Sequence, residues 1–591
     1  MKKYILLFLA FMLPLLSMAE VRSREDALEI AENFFGKAMT KSAAYKLDMV
    51  WDGSDIMTKS AGSAPAFYVF DNVSGPGFVV VSGDDRVKAV LGYSFENEFE
   101  VDDMPPHFIE WMQEIENQIR YVRSSSTYST RTSGSDDPGN PVVLYETALW
   151  NQSAPYNDYC PYDGAERSVT GCVATAMAIV MKYHEWPDAG VGTIPAYVTG
   201  TQKIEVDAIE LGYKYDWDNM LMSYNAGSSA AQNRAVARLM ADCGAALQMN
   251  YSASASGAPS EYIPIVLSTY MKYDKSAVLR YRGLYSYAEW HEIIQTEIRT
   301  NGPVMYAGHS DEGGHAFVLD GYTDNQYYHL NWGWGGHYNG YFLLDALNPE
   351  GQGIGGSDGG YDFYQSAVFN VAKDHGGHPE ESIVLASYDG VNGLESDSEV
   401  FEKGVPFYVK TGLMYNDASP SYTGKIGLAV ADENYQVKEE LLVMEVNDLP
   451  SGYGYKVDTD LTYTIDLRVG DRLIAVFWDN ETGKWKKIRG NVDYGVVDFI
   501  PLTDQYDLGE STSFSFNTKT REITLMTKGD VEFVVIGPSG EQVASVVTVQ
   551  NEPVVVPTAD LPAGRYKMIL TKNEEYAEYY VVLGTKEDSH E

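Results

Sequence analysis

The stretch that most limits what this chain can fold into is residues 168–184, Ser-Val-Thr-Gly-Cys-Val-Ala-Thr-Ala-Met-Ala-Ile-Val-Met-Lys-Tyr-His, with Pro187 just beyond it. Polar residues and a glycine open it, and from Cys172 onward apolar side chains fall on almost every face of a helix. A helix without a polar stripe must be covered on all sides. The segment therefore predicts a domain built around one buried helix with Cys172 in its first turn. Thr170 is placed to cap the first N–H groups, and the positive end of the helix dipole favours thiolate over thiol at Cys172. A nucleophile needs that environment. A buried structural cysteine, the commonest fate of an unpaired thiol, is the reading this segment alone leaves open.

A second segment, residues 313–322, runs Gly-Gly-His-Ala-Phe-Val-Leu-Asp-Gly-Tyr into a turn at 323–326 and a further strand at 327–332, which predicts a β-hairpin. Ladder pairing about that turn puts His315 across from roughly residues 331–335, with Asn331 in reach of the imidazole. A carboxamide oxygen accepting from one ring nitrogen would leave the other to face a thiol, the Cys-His-Asn form of the catalytic triad. The other histidines read as structural: His184 ends a helix, His291 sits on one, and His375 and His378 belong to a linker. His309 is the rival base, but no strand with an amide orienter follows it. His309, His315 and His337 lack the ligand spacing of a zinc site.

Three stretches together resemble the streptopain-like cysteine peptidases of the papain-like fold. They are Trp150-Asn-Gln152 with Ala154-Pro-Tyr-Asn157 and Cys160-Pro161; Gly171-Cys172-Val-Ala-Thr-Ala with Met181-Lys-Tyr-His184; and Gly314-His315-Ala-Phe-Val-Leu-Asp-Gly-Tyr322 running into Asn331-Trp-Gly-Trp-Gly-Gly336. The match extends more weakly to 215–219 and 345–349, so it covers about 141–372. The resemblance implies Cys172 as nucleophile, His315 as base and acid, and Asn331 as orienter. It further implies Gln152 as an oxyanion donor, with Trp332, Trp334 and Gly314 shielding or lining the cleft. A side-chain amide and the Cys172 N–H at a helix start would converge on developing charge. An apolar substrate side chain two residues before the cut bond is implied as well. No cofactor and no metal are called for.

The whole chain is 591 residues long, with 84 acidic against 43 basic side chains and a formal charge of −41, so nucleic acid and anionic lipid are poor partners. Residues 1–19 read as an export signal, with two lysines, an apolar run and small residues at the cleavage point. That run is too short to span a bilayer, which needs ~18 apolar residues or more. Only three cysteines occur, Cys160, Cys172 and Cys243. Disulfides do not hold such a chain together, and whether Cys160 pairs with Cys243 is open.

Residues 20–123 form a small α+β unit, with amphipathic helices at 24–39 and 106–122 and strands at 67–70 and 78–82. They resemble the prodomains of this family, which cover the active site until removed. Residues 124–140 are a polar, cleavable linker following Arg123 and containing Arg131. The α+β peptidase domain spans 141–372 and exits through a linker at 374–381. All-β, sandwich-like modules follow at 380–500 and 505–591. The last resembles the C-terminal secretion tails of Bacteroidetes proteins, which points to such a source, but departs from them in its acidic end. The expectation is an exported cysteine endopeptidase made as a zymogen, secreted or at the cell surface. It would act on protein or peptide substrates, with its own prodomain as inhibitor. A papain-like transacylase and an adhesin with a relic peptidase domain are the rivals.

Overall fold

The computed structural model describes residues 21–583 except 39–44, 54–63, 103, 125–136, 286, 311–312, 345–364, 399–400, 419, 433, 469, 492–495 and short segments at 503–504, 508–511, 518–521, 528–531, 538–541, 548–553, 559–560, 562–563 and 573–574. The export signal expected at 1–19 and most of the linker at 124–140 lie outside the described residues.

The run beginning at Cys172 is helix α3 (Cys172–His184), flanked in the chain by α1 (Arg24–Ala38), α2 (Pro106–Ser124), α4 (Ala230–Ala246), α5 (Tyr262–Tyr270) and α6 (Tyr287–Asn301). Cys172 through Lys182 are all buried. Lys182 is accommodated because its ammonium donates to Glu185 and to the Trp217 carbonyl oxygen. The helix packs between α4 and a large antiparallel sheet. That sheet takes β1 (Leu47–Trp51), β2 (Phe67–Asn72), β3 (Phe78–Ser82), β4 (Val90–Ser94), β5 (Pro141–Leu144), β6 (Val278–Tyr281), β7 (Val304–Ser310), β8 (Gly313–Thr323), β9 (Tyr328–Asn331), β10 (Gly340–Phe342) and β11 (Ser366–Phe369). The spatial order is β1-β2-β3-β4-β10-β9-β8-β7-β11-β6, with β5 added against β8.

The first α+β unit is thus continuous with the sheet of the second. The join is β4 against β10, where Tyr93 pairs with Tyr341 and Gly92 with Phe342. Two cores cross it. In one, Phe108, Met112, Ile115 and Ile119 of α2 share a cluster with Trp332, Trp334, Tyr338 and Phe342; in the other, Phe34 of α1 meets Tyr93, Tyr327 and Tyr341. A third core surrounds α3 and includes Val236, Leu239 and Met240 of α4.

Beyond residue 380 the described elements are all strands, in sheets separate from the large one. The segment read as an exit linker is bolted to the peptidase layer by Asp274. Its buried carboxylate accepts from the N–H groups of His375 at 2.9 Å, Gly377 at 3.0 Å and Ser276 at 2.9 Å. Further along, Arg489 donates to both carboxylate oxygens of Glu289 at 3.1 Å. Burial alone would raise the Asp274 carboxyl, but hydrogen bonds from Ser276, His375 and Gly377 outweigh it and hold the group well below the usual carboxylate range. A depressed carboxylate contributes stability above its unfolded value of about 3.9, and that stability is lost as pH falls below it. Asp274→Ala is therefore expected to lower stability by about 1–3 kcal/mol at neutral pH through the orphaned N–H donors. Melting curves at neutral pH and near pH 3 check this, the gap to the unmodified chain narrowing in acid.

Candidate active site

Cys172 enters its helix through Gly171, which has φ 85°. A Cβ there would meet Met249 Sδ at 2.6 Å and the Ser256 carbonyl oxygen at 2.8 Å, so the loop requires glycine twice over. No side chain caps the helix start. The cap expected from Thr170 is absent because its hydroxyl lies 2.8 Å from that of Thr175 instead. The first-turn N–H groups, aligned with the helix dipole, therefore face the site without a competing side-chain oxygen.

Cys172 and His315 line one cavity of about 320 Å³, where the helical layer meets the sheet. Val173, the 255–258 loop, Ala307, Gly314 and Ala316 complete most of its wall. No described residue of 21–124 lines this cavity. The prodomain instead leans on the wall behind the histidine. Phe108 lies 5.8 Å from Trp332 and 6.1 Å from Trp334, and Trp111 lies 5.5 Å from Trp332.

The hairpin forms as expected, with Val318 paired to Asn331. His315 thus lies three residues past the end of that ladder, level with the 332–334 loop. Its ring stacks on Trp334 at 4.8 Å and 24°, and Trp334 in turn stacks on Trp332 at 5.2 Å. His315 Nε2 lies 3.0 Å from the Trp332 carbonyl oxygen. The Asn331 carboxamide, expected as that acceptor, is used elsewhere. Its Nδ2 donates to Thr147 Oγ1 at 2.9 Å and to the Ala148 carbonyl oxygen at 3.0 Å, while its Oδ1 accepts from Gly333 N–H at 3.1 Å. The physical reason is the end of the ladder: the Asn331 side chain is held by the 147–148 segment and the Gly333 N–H, and the backbone one residue on faces the imidazole.

Gln152 is half-buried beside the helix entry, where its backbone oxygen accepts from Thr170 N–H at 3.1 Å; its side-chain amide makes no hydrogen bond to a described residue. The two other thiols are unsuited to chemistry. Cys160 and Cys243 are not joined in a disulfide, which answers the open question about them. Burial pushes Cys160 up to about 12 and drives Cys243 well above its ordinary value. His184 is pushed down to about 4, also by burial, and is a neutral packing group. Among the described residues no three His, Cys, Asp or Glu side chains converge as a metal site would require, and no helix is long and apolar enough to cross a membrane.

Sequence reasoning missed Thr147, Asp320 and His329. Thr147 Oγ1 donates to Asp320 Oδ2 at 2.5 Å, and Asp320 Oδ1 lies 2.5 Å from His329 Nδ1. Burial would push the His329 imidazole down, but the Asp320 charge outweighs this and holds it above its ordinary value. Asp320 stood inside a recognised stretch, yet a buried acid–histidine pair has no spacing of its own to betray it.

The sequence pattern described as the Peptidase C10 family matches residues 150–342, and that described as Spi protease inhibitor matches 19–119. Streptopain of Streptococcus pyogenes serotype M1 is 34% identical over 372 residues, covering 59% of this chain and 92% of that protein. Thiol protease/hemagglutinin PrtT of Porphyromonas gingivalis is 31% identical over 387 residues, 62% of this chain, which spans only 44% of that longer protein. A solved fragment of Prevotella intermedia prointerpain A is 29% identical, covers 56% of this chain and 99% of its own, and superposes with a TM-score of 0.45.

Proposed function

The chain belongs to the Peptidase C10 family of cysteine proteases, and from that premise we propose that it is an exported endopeptidase whose nucleophile is Cys172 and whose acid–base group is His315. The observation that carries the reading is that these two side chains, from different layers, line one cavity. With Nε2 engaged by the Trp332 carbonyl, Nδ1 is the nitrogen that exchanges a proton with the thiol. The thiolate adds to the scissile carbonyl, and the developing oxyanion is met by the Cys172 N–H and the Gln152 amide. The imidazolium then gives its proton to the leaving amine as the C–N bond breaks. Water attacks the thioester, His315 takes its proton, and the C–S bond breaks to release the acid.

The alanine-rich wall, with Ala255, Ala258, Ala307 and Ala316, suits an apolar substrate side chain. Trp332 and Trp334 keep bulk water from the imidazole, and Gly314 leaves room for substrate backbone beside it. Activation follows a cut within 124–140. Arg123 is a poor site for that cut, because its guanidinium is held by Asp84 at 3.3 Å and by the carbonyl oxygens of Ala64, Pro65 and Gly83. Arg131 is the better one.

The test is to treat the matured chain with a thiol-directed peptidyl inhibitor and map the adduct by mass spectrometry, then hydrolyse a peptide in ¹⁸O water. Labelling of Cys172, loss of activity and ¹⁸O in the new carboxylate are expected. A label on Cys160 or Cys243 sinks the assignment, and transfer to an added amine in preference to water makes the enzyme a transacylase.

A further inference from the structure

The peptide unit joining Trp332 to Gly333 links the base to a buried carboxylate that no catalytic role uses. Its carbonyl oxygen faces His315 Nε2, and its N–H donates to Asn331 Oδ1. In a trans peptide these two groups point in opposite directions, so whatever fixes the N–H also aims the carbonyl. The Asn331 amide is itself oriented from its other end, where Nδ2 donates to Thr147 Oγ1. A hydroxyl has one proton to give, and Thr147 gives it to Asp320 Oδ2. A carboxylate oxygen accepts only, so Thr147 accepts from Asn331, and the Ala148 carbonyl oxygen accepts from the same Nδ2 at 3.0 Å; together they keep the amide from flipping.

Thr147, Asp320, His329 and Asn331 are 6%, 2%, 7% and 0% exposed, which leaves no bulk water to substitute for a lost partner. Gly333, at φ 75°, completes the turn, since a Cβ there would press on Thr175 Cγ2 at 3.2 Å. His329 closes the chain on the far side of Asp320, its ring edge-on to Tyr341 at 4.9 Å.

We propose that Asp320 and Thr147 are positioning residues for His315, acting through Asn331 and the Trp332–Gly333 peptide. Neither lines the cleft, so their influence runs through the direction of one carbonyl. The carboxylate fixes the direction of the Thr147 hydroxyl, which shares Asn331 Nδ2 with the Ala148 carbonyl oxygen, and the relay holds an acceptor in front of the imidazolium that forms during turnover. The proposal rests on His315 being the acid–base group.

The experiment compares the full chain, matured, with its Thr147→Val, Thr147→Ala, Thr147→Ser and Asp320→Asn variants, and with Cys172→Ala as the blank. Thr147→Val should lower kcat by about 10- to 100-fold, the usual scale for such supporting partners, while KM stays within about twofold. The basic limb of its kcat/KM profile should move to lower pH, because the imidazolium loses a held acceptor. Thr147→Ser should restore both. Asp320→Asn keeps an amide oxygen that can still accept from Thr147 while its NH2 faces His329, so it should lose less than Thr147→Val does; if Thr147→Val does not fold, Thr147→Ala and Thr147→Ser decide. A folded Thr147→Val or Thr147→Ala enzyme with unchanged kcat and an unmoved limb overturns the proposal, as does a loss confined to KM. If the unmodified chain hydrolyses nothing, or Cys172→Ala remains active, the base assignment has failed and the positioning role falls with it.

Discussion

Replacing Cys172 with Ala is expected to remove peptide hydrolysis by about 100,000-fold or more and to stop self-processing, while the melting temperature stays close to that of the unmodified chain. Loss of a nucleophile disables the whole unit, so the remaining base and oxyanion donors recover little. The fold should tolerate the change. Cys172 sits on the rim of a cavity at 7% exposure, its helix is otherwise covered on all faces, and alanine has the higher helix propensity. The contrast with Asn331→Ala sharpens the assignment. Because Asn331 acts on a backbone turn and does not touch the imidazole, its loss should cost about 10- to 100-fold. Hydrolysis and maturation by folded Cys172→Ala protein would remove the mechanism altogether. Equal losses for the two variants would mean that Asn331 takes part directly.

The second large effect concerns the prodomain. Before the linker is cut, the full chain is expected to hydrolyse a short peptide at least about 100-fold more slowly than the enzyme freed of residues 20–123, a difference of about 2.7 kcal/mol in barrier. Cutting should not suffice. The β4–β10 pairing and two shared cores hold the prodomain in place, so the cut pieces should co-elute on size exclusion, and activity should appear only as they separate. Phe108 is the residue to probe, because it is fully buried and stacks on Tyr338 at 4.4 Å and edge-on to both Trp332 and Trp334. Phe108→Ala should weaken the seam by about 3–5 kcal/mol, releasing the prodomain and its inhibition as soon as the linker is cleaved. The prodomain bears on the two indoles stacked behind His315 and does not line the cleft among the described residues. Its restraint is therefore expected to act on the loop that carries the histidine's acceptor. Full activity in an uncut precursor would make the segment a folding aid.

What could be read from residues alone was whatever physics is local. The all-round apolar run after Gly171 could only be a buried helix, and it starts at Cys172 as its composition requires. The strand–turn–strand pattern through 313–332 predicted a hairpin, and its turn places the histidine next to a glycine- and tryptophan-rich loop. Residue types and their order likewise singled out Cys172 and His315, which the fold brings to one cavity. Three things were decided by the tertiary structure alone. The acceptor facing His315 is a main-chain carbonyl, which every residue possesses, so no side-chain pattern could single out Trp332. The Thr147–Asp320–His329 chain joins residues as far as 182 positions apart, and a hydrogen bond across such separations follows from strand register rather than sequence spacing. The prodomain's fusion to the peptidase sheet is a pairing between strands some 250 residues apart. Periodicity shows that each strand has a face to bury but is silent on which neighbour covers it, because that choice is made by the free energy of packing the whole molecule.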